Sequence, residues 1–418
     1  MFALTTGMAT KPRLAILCSF LVLVGAMVRA SGEEVLADPV SRLAGQLDRG
    51  EVTLEYREGE GYLPSLLEQL DVNVDSQMLV FSKTSFQQAI INPKNPRAVY
   101  FNDTVSVGTV PGGDVYEVLA LEPSHGMVFY TLSGKQTERP HLQRRGIECM
   151  FCHAMGNKGA PSLVVASVIP DAEGIPAYTS TFISTIDHRT PLSQRWGGWY
   201  VTGTHGSVRH MGNAVAVDPF KPLDLQQEGT QNLTSLEDKI DVSKYLTGTS
   251  DIVALMTLEH QVGVANRINA ITYQYRRIKG DGMSPADWNL VDAEIDDLVG
   301  YMLFVDEAPL EEPVKGVSAF TRTFSGRGPR DIAGRSLRDF DLRTRLFKYR
   351  LSYMIYSDFF DAMPQPVLER VYRRLFEVLS GDDVSAKYRG LSSADRAEAL
   401  EILLETKSNL PEYWTDSR

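Results

Sequence analysis

Apolar and polar positions change their rhythm along this chain, and the change divides it. Between about Glu33 and Ser133 the period is two or the runs are short. Val52–Tyr56 and Val115–Leu119 alternate, while Ala98–Phe101 and Met127–Leu132 are brief apolar or β-branched runs. Turn residues bound them, among them Pro111-Gly112-Gly113 and Ser124-His125-Gly126. This pattern predicts strands, with one helix over Leu63–Leu70. From Lys135 to about Gly248 the periodicity fades into a loop-rich stretch with many Gly, Pro and His residues. Beyond Gly248 the rhythm becomes helical. Ser250-Asp251 predicts the cap of a long helix reaching Ile278. Ser284-Pro285 predicts a second helix start, running on to about Val305. A Gly/Pro/Arg-rich connector, Glu311–Arg335, precedes helices expected near Leu342–Phe359, Pro366–Leu379 and Ser393–Thr406. The pattern predicts an α+β fold: a β-rich N-terminal region (31–134), a chemistry-bearing region (135–248) and a mainly helical C-terminal region (249–418).

The first thirty residues stand apart. Lys11 and Arg13 precede the apolar run Leu14–Val28, and Val28-Arg29-Ala30 precedes Ser31. A basic start, a short apolar core and small residues before a break predict a secretory signal peptide over 1–30. An uncleaved membrane anchor competes with this reading, but the run is short for a membrane-spanning helix, which needs about 20 residues, so no span is expected in the mature chain. Cleavage after Ala30 would remove Lys11, Arg13 and Arg29 and make an acidic chain, already at −11, more acidic. Such a charge argues against nucleic acid as a partner. Cleavage would also remove Cys18, leaving Cys149 and Cys152 as the only cysteines. The expected location is periplasmic or otherwise exported.

Those two cysteines fall in Cys149-Met150-Phe151-Cys152-His153, which fits the C-x-x-C-H pattern of covalent haem attachment. Two thiols three apart on a helical turn can each add to one of two neighbouring vinyl groups of a porphyrin. The adjacent imidazole of His153 is then held at the iron. A redox disulfide and half of a zinc site compete with this reading. The first usually follows a strand in a βαβ setting, and the second needs two more ligands.

The stretch from Cys149 through Gly159-Ala160-Pro161-Ser162-Leu163 resembles the haem-binding start of the small monohaem cytochromes c. The resemblance covers about fifteen residues. It implies one covalent haem c, a cytochrome c-like haem segment, and a carbonyl at Pro161 that accepts the second ring nitrogen of His153. For the sixth iron ligand the sequence offers Met211, with His210 and His205 as alternatives, in Gly203–Asn213. His188 reads as a loop residue, and Met256 and His260 as core or surface of the long helix. Arg195-Trp196-Gly197-Gly198-Trp199 suggests a haem wall, with Trp199 against the ring and Arg195 or Arg209 near a propionate; an ordinary aromatic turn fits as well.

Nine Arg and Lys residues between Arg322 and Arg350 could dock an acidic redox partner, although a face paired with the protein's own carboxylates fits better. The function expected is single-electron transfer to redox protein partners. The alternative is a peroxidase-like haem oxidoreductase, or a haem-bearing sensor or subunit, with an open or displaceable sixth position.

Overall fold

A six-stranded antiparallel meander and a long buried helix share the central core of the computed structural model. It describes residues 36–146, 148–149, 153, 160–176, 184–218, 221–280 and 282–414. The signal segment expected over 1–30 and Cys152 lie outside the described residues. Asp38–Arg418 form one compact unit, so the three stretches separated by their sequence rhythm pack together.

Helix α1 (Pro39–Asp48) begins at Asp38, whose carboxylate caps the amides of Val40 and Ser41. Helix α2 (Leu63–Gln69) follows. Strands β1 (Met78–Val80), β2 (Arg97–Phe101), β3 (Val105–Thr109), β4 (Val115–Glu122), β5 (Gly126–Ser133) and β6 (Leu142–Arg145) pair in sequence order. Cross-strand partners share a face. The register Tyr100–Val107–Val118–Tyr130 therefore defines one side, where the Tyr130 hydroxyl reaches Asp38 at 2.7 Å. On the other side lie Val99, Phe101, Leu121, Met127 and Phe129, which belong to the core cluster that includes the long helix.

That helix, α3 (Ile252–Ile278), starts where the sequence predicts, with Asp251 capping Val253 at 2.8 Å. It is buried around most of its circumference from Ile252 to Ala265. Helix α4 (Pro285–Met302) opens with a reciprocal capping box between Ser284 and Asp287. Gly263 lets the two helices meet, because a β-carbon there would strike the Tyr301 side chain. Helices α5 (Phe320–Ser325), α6 (Asp358–Asp361), α7 (Gln365–Leu379) and α8 (Ser393–Thr406) complete the C-terminal part.

Two expectations fail. Val52–Tyr56 forms no strand, since only Leu54 in that alternation is buried. The helix expected over Leu342–Phe359 is instead irregular chain, a single 3₁₀ turn (Tyr353–Tyr356) and α6. Its apolar residues fill the core in spite of this: Leu346, Phe347, Leu351, Tyr353 and Met354 are all buried. Burial alone produced the apolar periodicity there.

Among the described residues between β6 and α3, regular structure is sparse. Strands β7 (Ala166–Ser167) and β8 (Ser184–Thr185) form a two-residue ladder. Most of the candidate side chains occupy this irregular segment. Long irregular stretches inside a compact unit are commonly functional.

Candidate functional site

His153 sits against the α3-facing side of the sheet, its ring 4.7 Å from that of Phe129. The His153 Nδ1 lies 2.8 Å from the carbonyl oxygen of Ser162. A carbonyl only accepts, so Nδ1 carries the proton and Nε2 keeps its lone pair. Burial moves the ring below the usual histidine range, which keeps it neutral and able to bind a metal. The Ser162 amide returns a bond to the His153 carbonyl at 2.7 Å, so the two residues are held to each other twice.

The resemblance assigned this acceptor to Pro161; it is the next residue. The Pro161 carbonyl is taken by Asn269 Nδ2 at 2.6 Å. Asn266 holds Leu163 from both sides, at 2.7 Å to its amide and 2.9 Å to its carbonyl. Two asparagines one turn apart on α3 thus fix the strand of chain that follows the motif. Sequence reasoning missed both, because an Asn on a helix carries no local signal of what it will bind.

Arg97 and Glu117 also act electrostatically on His153. They form a half-buried ion pair at 2.6 Å on the same sheet face as Phe129. Gly108 lies beneath Arg97, where a β-carbon would collide with the guanidinium. Cys149 is partly buried and packs against the core, with its amide 3.1 Å from the Gly146 carbonyl.

The other expected site residues gather elsewhere. Trp199 is in the core, and its indole donates to the Ala166 carbonyl at 2.8 Å. Arg195 is not available to a propionate. It is buried, and its donors go to Glu259 (2.8 Å), Thr190 O (2.7 Å) and His188 O (3.0 Å). Trp196, at φ +69°, sends its indole N–H to the other Glu259 oxygen. A bulky side chain in left-handed backbone is strained, and the buried bond helps hold it there.

The three proposed distal ligands differ in what they already bind. Both ring nitrogens of His205 are engaged, Nδ1 by the Val208 carbonyl (2.7 Å) and Nε2 by the Asn232 amide (3.1 Å). The Met211 sulfur accepts the Ser167 hydroxyl at 3.6 Å. His210 is fully buried with both ring nitrogens unpartnered, and burial pushes it down to about 3. Its ring lies 4.6 Å from His205 and 5.3 Å, edge-on, from Trp196.

His188 and His260 come together in the core. Their Nδ1 atoms are 2.9 Å apart, and His260 Nε2 is 2.7 Å from the Ser352 hydroxyl. A pocket of about 370 Å³ opens beside His205, with Leu192, Val208, Arg209 and Leu310 among its walls. Among the described residues no group of three or more His, Cys, Asp and Glu is placed to hold a metal ion. No helix among them is long and apolar enough to cross a membrane.

The basic run from Arg322 to Arg350 is largely paired internally. Arg330 binds Asp339 (2.9 Å), Arg335 binds Asp331 (2.6 Å), Arg345 binds Asp395 (3.0 Å) and Arg350 binds Glu307 (3.1 Å). Arg327 and Arg338 pair with Asp71 and Asp103. No family model matches the chain, and neither a curated protein nor a solved structure matches it.

Proposed function

We propose that this protein is an exported c-type cytochrome that passes single electrons through one haem. Cys149 and Cys152 would hold the haem covalently, and His153 would bind its iron. The observation that carries the reading is the bond from His153 Nδ1 to Ser162 O, which fixes the tautomer and leaves Nε2 as an iron ligand. Bound there, the haem would supply a one-electron ferric–ferrous couple.

The chain's own residues have definable tasks around that group. Ser162 orients the imidazole, while Asn266 and Asn269 anchor the segment carrying Ser162. Phe129 gives His153 an apolar side, which lowers the local dielectric. Arg97, paired with Glu117 and close enough to His153 to act on it electrostatically, would be the cation for a propionate. For the sixth position we favour His210 over Met211 and His205, since its buried ring nitrogens are the least engaged of the three. The partner would be a redox protein, met in the periplasm or another exported compartment.

Intact mass spectrometry of protein matured in a host that assembles c-type cytochromes tests the reading. A mass increase of one haem, with a low-spin spectrum indifferent to carbon monoxide, is the expected result. An unmodified mass overturns it. A high-spin iron that binds carbon monoxide replaces electron transfer with ligand or substrate chemistry.

A further inference from the structure

The core of this protein holds an ionisable cluster that the electron-transfer reading leaves unused. Glu259, His260, His188, Arg195 and Trp196 are each no more than 2% exposed. Burying a carboxylate with its cation is costly, and hydrophobic residues often do as well in its place. The Nδ1–Nδ1 contact of His188 and His260 requires one ring to donate and the other to accept. Ser352 closes one end of that pair, while His188 Nε2 is buried without a partner at the other. Such an arrangement has room for one proton more or fewer.

We propose that Glu259, clamped by Arg195 and Trp196 and backed by the His188–His260 pair, is a proton-binding site coupled to the redox state of the protein. The proposal rests on the haem reading above. On reduction, one electron enters the redox centre from a reducing protein partner. One proton enters from solvent and bonds to a Glu259 oxygen. On oxidation both leave, so charge and atoms balance.

The coupling is electrostatic, and helix α3 sets the spacing across which it acts. It carries Glu259 and also Asn266 and Asn269, which tie down the segment after the haem motif. Seven and ten residues along a helix are about 10 and 15 Å. An added negative charge near the segment they hold, at about that separation in a protein interior, would change the proton affinity of Glu259 several-fold. Other charges face the cluster from each neighbouring element. Asp187 and Arg189 come from the loop that carries His188, Glu307 from the chain after α4 and Arg267 from α3; Tyr301 comes from α4, with Arg267 3.7 Å above its ring. Asp297 pairs with Arg267 at 2.7 Å, which leaves Arg195 as the cation in contact with Glu259. Desolvation pushes the Glu259 carboxyl up to about 7 against the pull of Arg195 and Trp196.

The test is the midpoint potential of the full haem-bearing protein between pH 5 and 9, with redox difference infrared spectra of the carboxyl C=O region. The expected result is a potential that falls as pH rises through about 7 and levels on both sides. A protonated-carboxyl band should appear on reduction and vanish in Glu259→Gln. A pH-independent potential without that band overturns the proposal, as does a slope retained in Glu259→Gln. Should that variant fail to fold, Trp196→Phe reads the same site. Losing the indole donor must move the inflection to higher pH, and an unmoved inflection overturns the proposal. Failure of the haem reading shows separately, as protein without the added mass.

Discussion

The haem-motif region and the ionisable core differ in how they are held, and the contrast separates two ways of building chemistry into a fold. His153 is fixed mainly by the backbone. Its ring bonds to a carbonyl, and two asparagines on α3 hold the neighbouring chain. Glu259 is fixed by side chains brought from far apart in sequence, Arg195 and Trp196, in the buried core. The first arrangement needs a few local contacts and a covalent anchor. The second exists only when the whole unit is folded, and a partner lost there leaves a buried charge.

The largest effect expected is at the covalent anchor. Cys149→Ala and Cys152→Ala should each eliminate correct two-bond attachment and most of the holoprotein, read as haem absorbance per mole of protein. Folding of the Asp38–Arg418 unit should survive, because Cys149 only borders its core cluster. A variant that loses haem and also unfolds would break the separation between the two regions.

Arg195→Met should act in the opposite way. It leaves Glu259 buried without its cation, a change that costs about 3–5 kcal/mol in buried pairs. Denaturant unfolding measures it. A loss well under 1 kcal/mol would mean that Glu259 takes a proton instead, which sharpens the comparison in favour of the proton-binding site.

Acid should follow in size. Burial holds His188, His210 and His260 below the ordinary value of 6.5, the last two at about 3. The unfolded chain therefore binds more protons than the fold below pH 6.5. Stability from these rings is complete above 6.5 and lost as pH falls toward 3. Glu259 has the opposite sign. Its raised value gives stability below about 4.5 that is lost as pH rises through about 7. Three rings outweigh one carboxyl, so the midpoint of chemical denaturation should drop on acidification from pH 6.5 to 4. A flat profile would mean that the rings are reached by water.

Asn269→Ala should give the smallest effect, about 1 kcal/mol for one hydrogen bond to the Pro161 carbonyl. Its value is diagnostic. The iron environment, read by the absorbance and potential of the holoprotein, should shift while the Glu259 carboxyl band stays where it is. A shift in both would show that α3 transmits a disturbance between the regions.

Local chemistry was readable in advance, and distant pairing was not. The Ser284-Pro285 start and the Asp251 cap were legible because a helix terminus satisfies its amides with neighbouring residues. Strands β2, β4 and β5 were legible from alternation and turn residues. The stretch Leu342–Phe359 misled because its apolar residues are buried without a regular backbone. Within the candidate site, the C-x-x-C-H spacing carried its meaning within five residues. Ser162 was missed by one position, because which carbonyl meets His153 depends on Asn269 capturing the one before it.

The sequence by itself determined the cysteine–histidine motif, the strand-to-helix order and the helix caps, since each depends on contacts within a few residues. Only the tertiary structure decided that Arg195 faces Glu259, that His188 meets His260, and that His210 is left with unpartnered nitrogens. Those contacts join residues 64 and 72 positions apart, or come from the packing that encloses a ring. Burial then sets their protonation, because the cost of keeping a charge depends on how much water the finished fold excludes.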